Sequence, residues 1–288
     1  MQTQLDDEYL RRIVSSALAE DGAGDDITTD ALVPPDLTGS AVIIAKEAGI
    51  VAGLPVAAAV FATADPLLSF QPRVSDGARA AAGDTLVEVE GRVASILHGE
   101  RVALNFLQRL SGIATATARL VDAVAGLPTR ILDTRKTTPG LRPLERYAVR
   151  MGGGQNHRYN LADGTLVKDN HWQAMRAQGI DIGGAIRQLR AKARQGLRIE
   201  VEVTSVEEAK ESLAAGVDIL LLDNMGRESM RQVVELARGR ALTEASGGIT
   251  LETIRAVAET GVDYISVGAL THSAPALDIS LELQPSLS

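Results

Sequence analysis

Basic side chains are concentrated in residues 131–172, a segment whose composition suits the binding of an anion. Seven Lys and Arg residues fall there against four acidic ones, although the whole chain of 288 residues has a formal net charge of −8. Gly residues lie among these cations, and Gly lets a backbone approach a ligand closely. A basic island within an acidic protein predicts a pocket for a small polyanion.

Several of these cations follow predicted strands. Arg135 and Lys136 end one predicted strand, Lys168 ends the next, and His157 and Arg158 follow a run of three Gly residues. Arg binds carboxylate or phosphate through two parallel hydrogen bonds, whereas Lys acts as a compact point charge. Any one of these side chains alone is explained equally well by a surface salt bridge. Basic residues at the ends of two adjacent strands favour an anion pocket.

Two glutamates interrupt an otherwise apolar strand, Ile-Glu-Val-Glu-Val. Glu200 and Glu202 lie on the same face because side chains alternate along a strand. Parallel strands are normally apolar on both faces, so both carboxylates are predicted to face the interior. Buried carboxylates need cations or a metal ion beside them. The alternative is an edge strand with one solvated face.

Asp223 ends the apolar run that begins at Ile219. Together with Glu202 it supplies oxygen ligands of the kind that Mg²⁺ prefers. The alternative interpretation is that Asp223 caps the next helix, since Asp is a favourable N-cap residue.

Two later predicted strands end in small residues, which favours a phosphate site. Backbone N–H groups in Gly turns and at helix N-termini bind anions, and α/β barrels often bind phosphate after their last two strands. Ordinary strand-to-helix turns also contain Gly, so a single turn is weak evidence for a phosphate site. The evidence here is that two such turns follow two successive strands. The residues concerned are Ser246, Gly247, Gly248, Gly268 and Ala269.

The elements that must position these residues change character along the chain. Residues 93–125 are predicted to be helical, with an interruption at Ser111-Gly112 where we place a domain boundary. The preceding part is predicted to be a small α+β unit with strands at 38–46, 67–74 and 85–89 and helices at 5–19 and 55–62.

After the boundary, strands and helices alternate. The predicted strands are 130–134, 165–168, 199–203, 219–223, 241–245 and 264–267, and the predicted helices are 182–195, 206–215, 227–238 and 251–260. Such alternation predicts a parallel sheet with right-handed crossovers. Six units predict an incomplete, six- or seven-stranded α/β barrel, with its site at the carboxyl ends of the strands.

Composition excludes several classes of protein. The chain has no Cys, which excludes disulfides, thiolate catalysis, Cys-ligated zinc and iron–sulfur clusters. The N-terminus lacks the basic start and apolar run of a signal peptide, and no apolar run is long enough to span a membrane. A pI near 5.1 argues against a general nucleic-acid surface. These features predict a cytoplasmic globular protein without a membrane or nucleic-acid partner.

The motifs, in this order, resemble those of the quinolinate phosphoribosyltransferase family. The resemblance covers nearly the whole chain, and the combination is more specific than any single motif. It rests on DDITTD, HGERVALNFLQRLSGIAT, DTRKTTPGLR, GGGQNHRYNLADGTLVKDNH, IEVEV, LLLDN, EASGGI and GVDYISVGALTHS.

The resemblance implies both a fold and an assembly. It implies an N-terminal open α/β sandwich over residues 1–112, a C-terminal incomplete α/β barrel over 113–274, and a return of 275–288 to the first domain. It also implies a homodimer, or a hexamer built from such dimers. Arg101, which by itself is a surface residue of an amphipathic helix, would reach into the active site of the second subunit.

The implied reaction transfers the phosphoribosyl group of phosphoribosyl pyrophosphate to the ring nitrogen of quinolinate, with Mg²⁺ and loss of CO₂, in NAD biosynthesis. By similarity, quinolinate would contact Arg101 of the second subunit, Arg135, His157, Arg158 and Lys168, and Lys136 would contact either the pyrophosphate or the substrate carboxylates. Mg²⁺ and the ribose hydroxyls would contact Glu202 and Asp223. The 5′-phosphate would contact Ser246, Gly247, Gly248, Gly268 and Ala269. The catalytic residues would be Lys136, Lys168, Glu202 and Asp223.

Three other functions are compatible with parts of the sequence. A related pyrophosphorylase acting on another aromatic acid, including the kind linked to molybdenum transport, shares the fold, but the full motif set disfavours it. A barrel lyase or aldolase would use Lys168 as a Schiff-base nucleophile, although the Arg cluster leaves no obvious carbonyl pocket. A carrier module over residues 67–92 is disfavoured because no Lys stands at the Glu90-Gly91 turn.

Overall fold

The computed structural model describes residues 5–192 and 196–285. The chain divides into two compact units. Among the described residues, the first unit comprises 5–118, 137–153 and 270–285, and the second comprises 119–136, 154–192 and 196–269. Within the described residues, no helix combines the length and the apolar character that crossing a membrane requires.

Helices and strands follow one another along the whole chain. The strands are β1 (Thr38–Ala45), β2 (Gly49–Ile50), β3 (Ser69–Pro72), β4 (Arg79–Ala80), β5 (Thr85–Arg92), β6 (Arg130–Leu132), β7 (Thr165–Val167), β8 (Ile199–Val203), β9 (Ile219–Asp223), β10 (Leu242–Ser246), β11 (Tyr264–Ser266) and β12 (Ile279–Pro285). The helices are α1 (Asp7–Asp21), α2 (Ile27–Leu32), α3 (Leu54–Ala64), α4 (Val93–Ala123), α5 (Arg142–Met151), α6 (Asp169–Arg176), α7 (Ile182–Lys192), α8 (Val206–Ala214), α9 (Arg227–Ala237), α10 (Ile254–Ala258) and α11 (Ala269–His272).

The first unit is built on an antiparallel sheet with the strand order β12-β1-β5-β3. Buried and partly exposed residues alternate along β1, and Ala41, Ile43 and Ala45 are fully buried. This period of two follows from the pleat of a strand with one face on the core. The late strand β12 pairs with β1, with Leu281 opposite Ile43. Helices and one antiparallel sheet together give the α/β sandwich that the sequence predicts.

The long helix α4 runs without a break from Val93 to Ala123, so the predicted interruption at Ser111-Gly112 is wrong. The Ser111 hydroxyl instead accepts the backbone N–H of Ala52 at 3.0 Å. A Cβ at residue 112 would collide with the carbonyl oxygen of Pro275, so Gly112 permits a close approach of two backbone segments. Gly112 therefore allows two backbone segments to pack closely and does not end the helix.

The second unit contains a parallel sheet with the strand order β6-β11-β10-β9-β8-β7. Each described pairing in this sheet is parallel, and the connections between successive strands include helices. This arrangement confirms the incomplete α/β barrel, with six strands among the described residues. The three successive central residues of β9, Leu220, Leu221 and Leu222, are all buried, as expected when both faces of the sheet are covered.

Some predicted element bounds differ from those in the structure. The helix predicted over 182–195 is found as α7 over Ile182–Lys192, and residues 193–195 lie outside the described residues. The helix predicted over 251–260 shortens to α10, because the Thr253 hydroxyl accepts the N–H of Thr250 and forms a local turn before the helix. The six-residue helix α2 is not predicted, since it is too short to show a helical period.

Asp65 is a buried carboxylate at the end of α3, and it offers a test of the first unit's stability. Asp65 is only 3% exposed to solvent. It accepts hydrogen bonds from the Leu67 backbone at 3.0 Å, from Ser95 at 2.7 Å and from Arg92 at 2.7 Å. The Leu67 N–H, then Ser95 and Arg92, lower the pKa of Asp65 to about 2.

We expect Asp65→Asn to reduce the free energy of unfolding at pH 7 by about 2 kcal/mol. The folded-state pKa lies below that of the unfolded chain, so the carboxylate stabilises the fold above the unfolded pKa. That contribution is lost as the pH falls through the folded value. Urea unfolding of wild type and variant at pH 7 and pH 3 should give a smaller difference at pH 3. An equal difference at both pH values would contradict this, and the exposed Glu235→Gln serves as the control.

Candidate active site

A cleft of about 300 Å³ opens at the carboxyl ends of the strands in the second unit. It brings together cations and carboxylates that lie up to about a hundred residues apart in the chain, and we call it the cationic cleft. Its lining includes eight of the residues predicted from sequence: Arg135, Lys136, His157, Arg158, Lys168, Glu202, Asp223 and Ser246. Thr134, Leu166, Leu221, Glu244 and Ser266 line it as well.

Strand alternation explains which side chains reach the cationic cleft. Glu202 lies opposite Leu221 in the pairing of β8 with β9, and Asp223 lies opposite Ser246 in the pairing of β9 with β10. All four line the cleft. The intervening Leu222 is fully buried on the other face. The predicted inward orientation of Glu202 is therefore confirmed.

Lys168 and Glu202 form an ion pair within the cleft. The Lys168 Nζ lies 3.1 Å from Glu202 Oε2, and the backbone N–H of Lys168 donates to His171 Nδ1 at 2.9 Å. The Lys168 side chain is 48% exposed, whereas that of Glu202 is 11% exposed. A half-exposed pair of this kind adds at most about 1 kcal/mol to stability. Its main effect is to hold a cation at the mouth of the cleft.

His157 contacts two buried carboxylates, and we call these three residues the His157 cluster. Its Nε2 lies 3.3 Å from Glu200 Oε2 and 3.3 Å from Glu244 Oε2. Burial of the imidazole opposes protonation, but hydrogen bonds from Nε2 to Glu200 and Glu244 raise the pKa of His157. Burial also raises the pKa of Glu200. The backbone N–H of Arg158 donates to Nδ1 at 2.8 Å, so the ring carries its proton on Nε2, where the two carboxylates accept it.

The loop that carries His157 is anchored by Asp133, which is fully buried at the end of β6. Asp133 Oδ1 accepts the backbone N–H of His157 at 2.7 Å, and Oδ2 accepts the Asn156 side-chain amide at 2.6 Å. Gln155 also bridges to Leu132. These bonds hold residues 155–157 alongside the first strand of the barrel, as an irregular extension of the sheet.

Arg158 projects into a strongly cationic environment. Its Nη1 donates to the carbonyl oxygen of Gly164 at 3.1 Å. Burial and the neighbouring Arg135 lower the pKa of the Arg158 guanidinium, while Glu200 acts in the opposite direction. Two guanidinium groups that repel each other in a cleft are stabilised by a bound anion, so the electrostatics favour an anionic ligand.

Asp223 and Ser246 belong to two turns that pack against each other. Asn224 has a positive φ of 51°, and its backbone N–H donates to the Ser246 carbonyl at 2.9 Å. The Asn224 side chain donates to Asp223 Oδ2 at 2.9 Å. Gly247 has a φ of 96°, and a Cβ there would collide with the Asn224 side chain. Gly247 is thus required both by the backbone conformation and by this close approach.

The residues predicted to bind phosphate do not all line the cationic cleft. Ser246 lines the cationic cleft, whereas Gly247, Gly248, Gly268 and Ala269 are not among its lining residues. The helix that follows this turn begins only at Ile254, three residues later than the predicted start at Leu251. An anion at this turn would meet the N–H groups of the turn itself. Arg101 lies on α4 in the first unit, and it is exposed.

Two sets of side chains in the second unit have the chemistry to hold a metal ion. Glu202 and Asp223 both present carboxylate oxygens to the cleft, and hard oxygen ligands fit Mg²⁺ with water and phosphate completing its shell. His157, Glu200 and Glu244 also place potential ligand atoms within 4.8 Å of one another. The second set is buried and satisfied in part by internal hydrogen bonds, whereas the first faces the cleft.

Family models match almost the entire chain. A model described as the quinolinate phosphoribosyl transferase N-terminal domain matches residues 26–111, and the corresponding C-terminal domain matches residues 113–282. The chain belongs to the quinolinate phosphoribosyltransferase family. The resemblance inferred from the sequence motifs is confirmed.

Relatives within the quinolinate phosphoribosyltransferase family support this membership over the full length. A probable carboxylating nicotinate-nucleotide pyrophosphorylase of Synechocystis is 46% identical over 85% of this chain and 83% of its own. A protein of the same description from Bacillus subtilis is 41% identical over 95% of this chain and 93% of its own. The crystal structure of NadC from Streptococcus pyogenes superposes with a TM-score of 0.93 at 44% identity, covering 99% of both chains.

Two acidic residues at or beside this cleft were not predicted as site residues from the sequence. Glu244 was considered only as part of a strand before a Gly turn, yet it contacts His157 and lines the cleft. Asp133 was counted only as an acidic residue in a basic segment. Both are acidic residues within or directly after a buried strand, and that placement is the feature that would have indicated them.

Proposed function

We propose that this chain transfers the phosphoribosyl group of phosphoribosyl pyrophosphate to the ring nitrogen of quinolinate, with decarboxylation. The products are nicotinate mononucleotide, pyrophosphate and CO₂, and the reaction belongs to NAD biosynthesis. The observation that carries this proposal is the cationic cleft at the carboxyl ends of the barrel strands, in a chain that belongs to the quinolinate phosphoribosyltransferase family. Its location in the cytoplasm stays a prediction from the sequence.

The cations of the cleft account for the choice of substrate. Quinolinate carries two adjacent carboxylates on a pyridine ring, so its binding requires several positive charges close together. We assign this role to Arg135, Lys136, Arg158 and Lys168, which line one cleft, with His157 beside them. A bound dianion would offset the mutual repulsion of the Arg135 and Arg158 guanidinium groups.

The other substrate is assigned to the carboxylates and turns on the facing strands. Glu202 and Asp223 would hold Mg²⁺ and the ribose hydroxyls, because both line the cleft with carboxylate oxygens. When bound, Mg²⁺ supplies charge stabilisation to a departing pyrophosphate. The 5′-phosphate is assigned to Ser246 and to the N–H groups of the small residues that follow β10 and β11, namely Gly247, Gly248, Gly268 and Ala269.

Catalysis in this proposal comes from positioning and electrostatics. Loss of pyrophosphate leaves a cationic ribosyl carbon, and the pyridine nitrogen attacks it to form the new glycosidic bond. The nitrogen then bears a positive charge, which stabilises the electron pair left on C2 when the adjacent carboxylate departs as CO₂. A water molecule or a lysine returns a proton to C2. We assign Glu202 and Asp223, which line the cleft, the role of stabilising the ribosyl cation by their negative charge.

A coupled assay tests the proposed function directly. Purified protein is incubated with Mg²⁺, phosphoribosyl pyrophosphate and either quinolinate or nicotinate, and both nicotinate mononucleotide and CO₂ are measured. Product from quinolinate alone supports the proposal and shows that the cleft requires both carboxylates. Product from nicotinate alone, or from neither substrate, would contradict it and direct attention to related pyrophosphorylases of other aromatic acids.

Removal of divalent metal should abolish turnover. We expect EDTA to lower the rate at least about a hundredfold, since stabilisation of the leaving group by a metal ion contributes several kcal/mol. Addition of excess Mg²⁺ should restore activity fully. Quinolinate binding measured by calorimetry without metal should persist, because its assigned ligands are protein cations. Full activity in EDTA would exclude the assigned role of Glu202 and Asp223.

The proposed homodimer completes each active site with Arg101 from the second subunit. Arg101 is exposed on α4, and this role is carried over from the family resemblance. Arg101→Ala and Lys168→Met should each be nearly inactive alone. Co-refolded at equal amounts, they should recover about a quarter of the wild-type activity, because half of the dimers then contain one intact site. No recovery would place Arg101 outside the second subunit's site.

A further inference from the structure

The His157 cluster lies on the inner face of the barrel sheet and joins two strands that are not neighbours. Glu200 is on β8 and Glu244 is on β10, with β9 between them. Glu200 is 4% exposed and Glu244 is 2% exposed. One oxygen of each carboxylate, Oε2, contacts His157 Nε2, and the other oxygen, Oε1, has no hydrogen-bond partner within the described residues.

Both nitrogens of the His157 ring are engaged in the structure. Nε2 faces the two glutamates, and Nδ1 accepts the backbone N–H of Arg158 at 2.8 Å. The ring is therefore a rigid link between the buried carboxylates and the main chain of Arg158. Arg158 lines the cationic cleft. The orientation of the His157 ring therefore fixes the backbone position from which the Arg158 side chain extends into the cleft.

A structural role alone does not account for this arrangement. Burying two carboxylates costs several kcal/mol, and well-packed apolar residues in their place are often neutral or stabilising. Two negative charges beneath a pocket for a dianion also oppose binding on purely electrostatic grounds. Their presence is explained if they improve the geometry of the cationic cleft by more than their charge weakens it.

We propose that Glu200 and Glu244 are positioning residues that set the affinity for quinolinate, by orienting the His157 ring and, through it, Arg158. This inference rests on the proposed function, because it takes quinolinate as the ligand of the cationic cleft. It predicts that substitutions of Glu200 or Glu244 change the KM for quinolinate much more than the KM for phosphoribosyl pyrophosphate.

Two substitutions at one position separate orientation from charge. Glu244→Leu removes the acceptor for His157 Nε2–H, whereas Glu244→Gln removes the charge but keeps an oxygen acceptor. If charge alone mattered, both variants would bind the dianion more tightly. If orientation matters, the KM for quinolinate should rise at least about tenfold in Glu244→Leu and stay within about threefold of wild type in Glu244→Gln. The KM for phosphoribosyl pyrophosphate should change less than about twofold in either variant.

The experiment measures kcat and both KM values for the full-length wild type and the two variants, and quinolinate binding by calorimetry. Glu200→Gln and Glu200→Leu are measured in the same way, so that poor folding of one variant does not remove the test. The expected pattern is a selective rise in the quinolinate KM for the Leu variants and rescue by Gln.

Three results would overturn the inference. They are an unchanged or lower quinolinate KM in the Leu variants, an equal rise in Leu and Gln variants, and one equivalent of tightly bound metal in the wild type that the variants lose. If the wild type neither binds quinolinate nor forms product, the proposed function fails together with this inference. An active wild type with insensitive Leu variants overturns the inference alone.

Discussion

Replacing Lys168 with Met should lower kcat/KM for quinolinate about a hundredfold or more, with little change in stability. A hydrogen bond from Lys168 to an anionic substrate contributes about 1.5–3 kcal/mol, and a hundredfold loss of kcat/KM corresponds to about 2.7 kcal/mol. The Lys168 Nζ contacts Glu202 at 3.1 Å, so the variant also leaves a mostly buried carboxylate without its cation. Both effects weaken the site where we assign the two substrates.

Lys46 provides a matched control for this variant. Its side chain is also 48% exposed, and it pairs with Glu282 at 3.9 Å in the first unit. Lys46→Met removes the same charge and the same number of donors, and it should leave kcat/KM within about twofold of wild type. Steady-state kinetics and thermal unfolding of both variants distinguish a loss specific to the position of Lys168 from a general effect of net charge or stability. Similar losses of activity in both would show that net charge, rather than position, controls the rate.

Replacing Gly247 with Ala should raise the KM for phosphoribosyl pyrophosphate at least about tenfold. A φ of 96° is strained for any residue with a Cβ and costs about 1–3 kcal/mol. The added methyl group would also displace the Asn224 side chain, which holds the Asp223 carboxylate. One substitution thereby moves a proposed phosphate turn and a proposed Mg²⁺ ligand together.

Gly216→Ala separates backbone strain from this local collision. Gly216 also has a positive φ, 79°, but a Cβ there would meet nothing within 4 Å. This control should reduce stability by about 1–2 kcal/mol and leave both KM values unchanged. Kinetics for each substrate, together with urea unfolding, test the pair of variants. If Gly216→Ala impaired phosphoribosyl pyrophosphate use as strongly, lost stability would explain both results.

The main features of the site were predictable because they depend on local patterns. A period of two along Ile199–Val203 orients Glu202, and the end of an apolar run places Asp223 at the carboxyl edge of the sheet. Parallel strands bring these edges together, so Lys168 and Glu202 could be expected in one cleft although 33 residues separate them in the chain. The fold class followed from the same alternation of strands and helices.

Other features depended on contacts that no local pattern contains. The partnership of Glu200 with Glu244 needs both carboxylates to reach one imidazole across β9, and that requires the exact register of three strands. Gly112 illustrates the opposite error, because a residue that often ends helices here allows a close approach inside one. Short helices such as α2 carry too few residues for any period to show.

The strand orders of the two sheets have a consequence for folding during translation. In the barrel sheet, the neighbour of β6 is β11, and in the antiparallel sheet one neighbour of β1 is β12. The ribosome therefore releases β6 and β1 long before it has synthesised the strands that pair with them. Until then, unpaired strand edges in the nascent chain remain available to other chains. Both sheets reach their final strand order only in the last stage of synthesis.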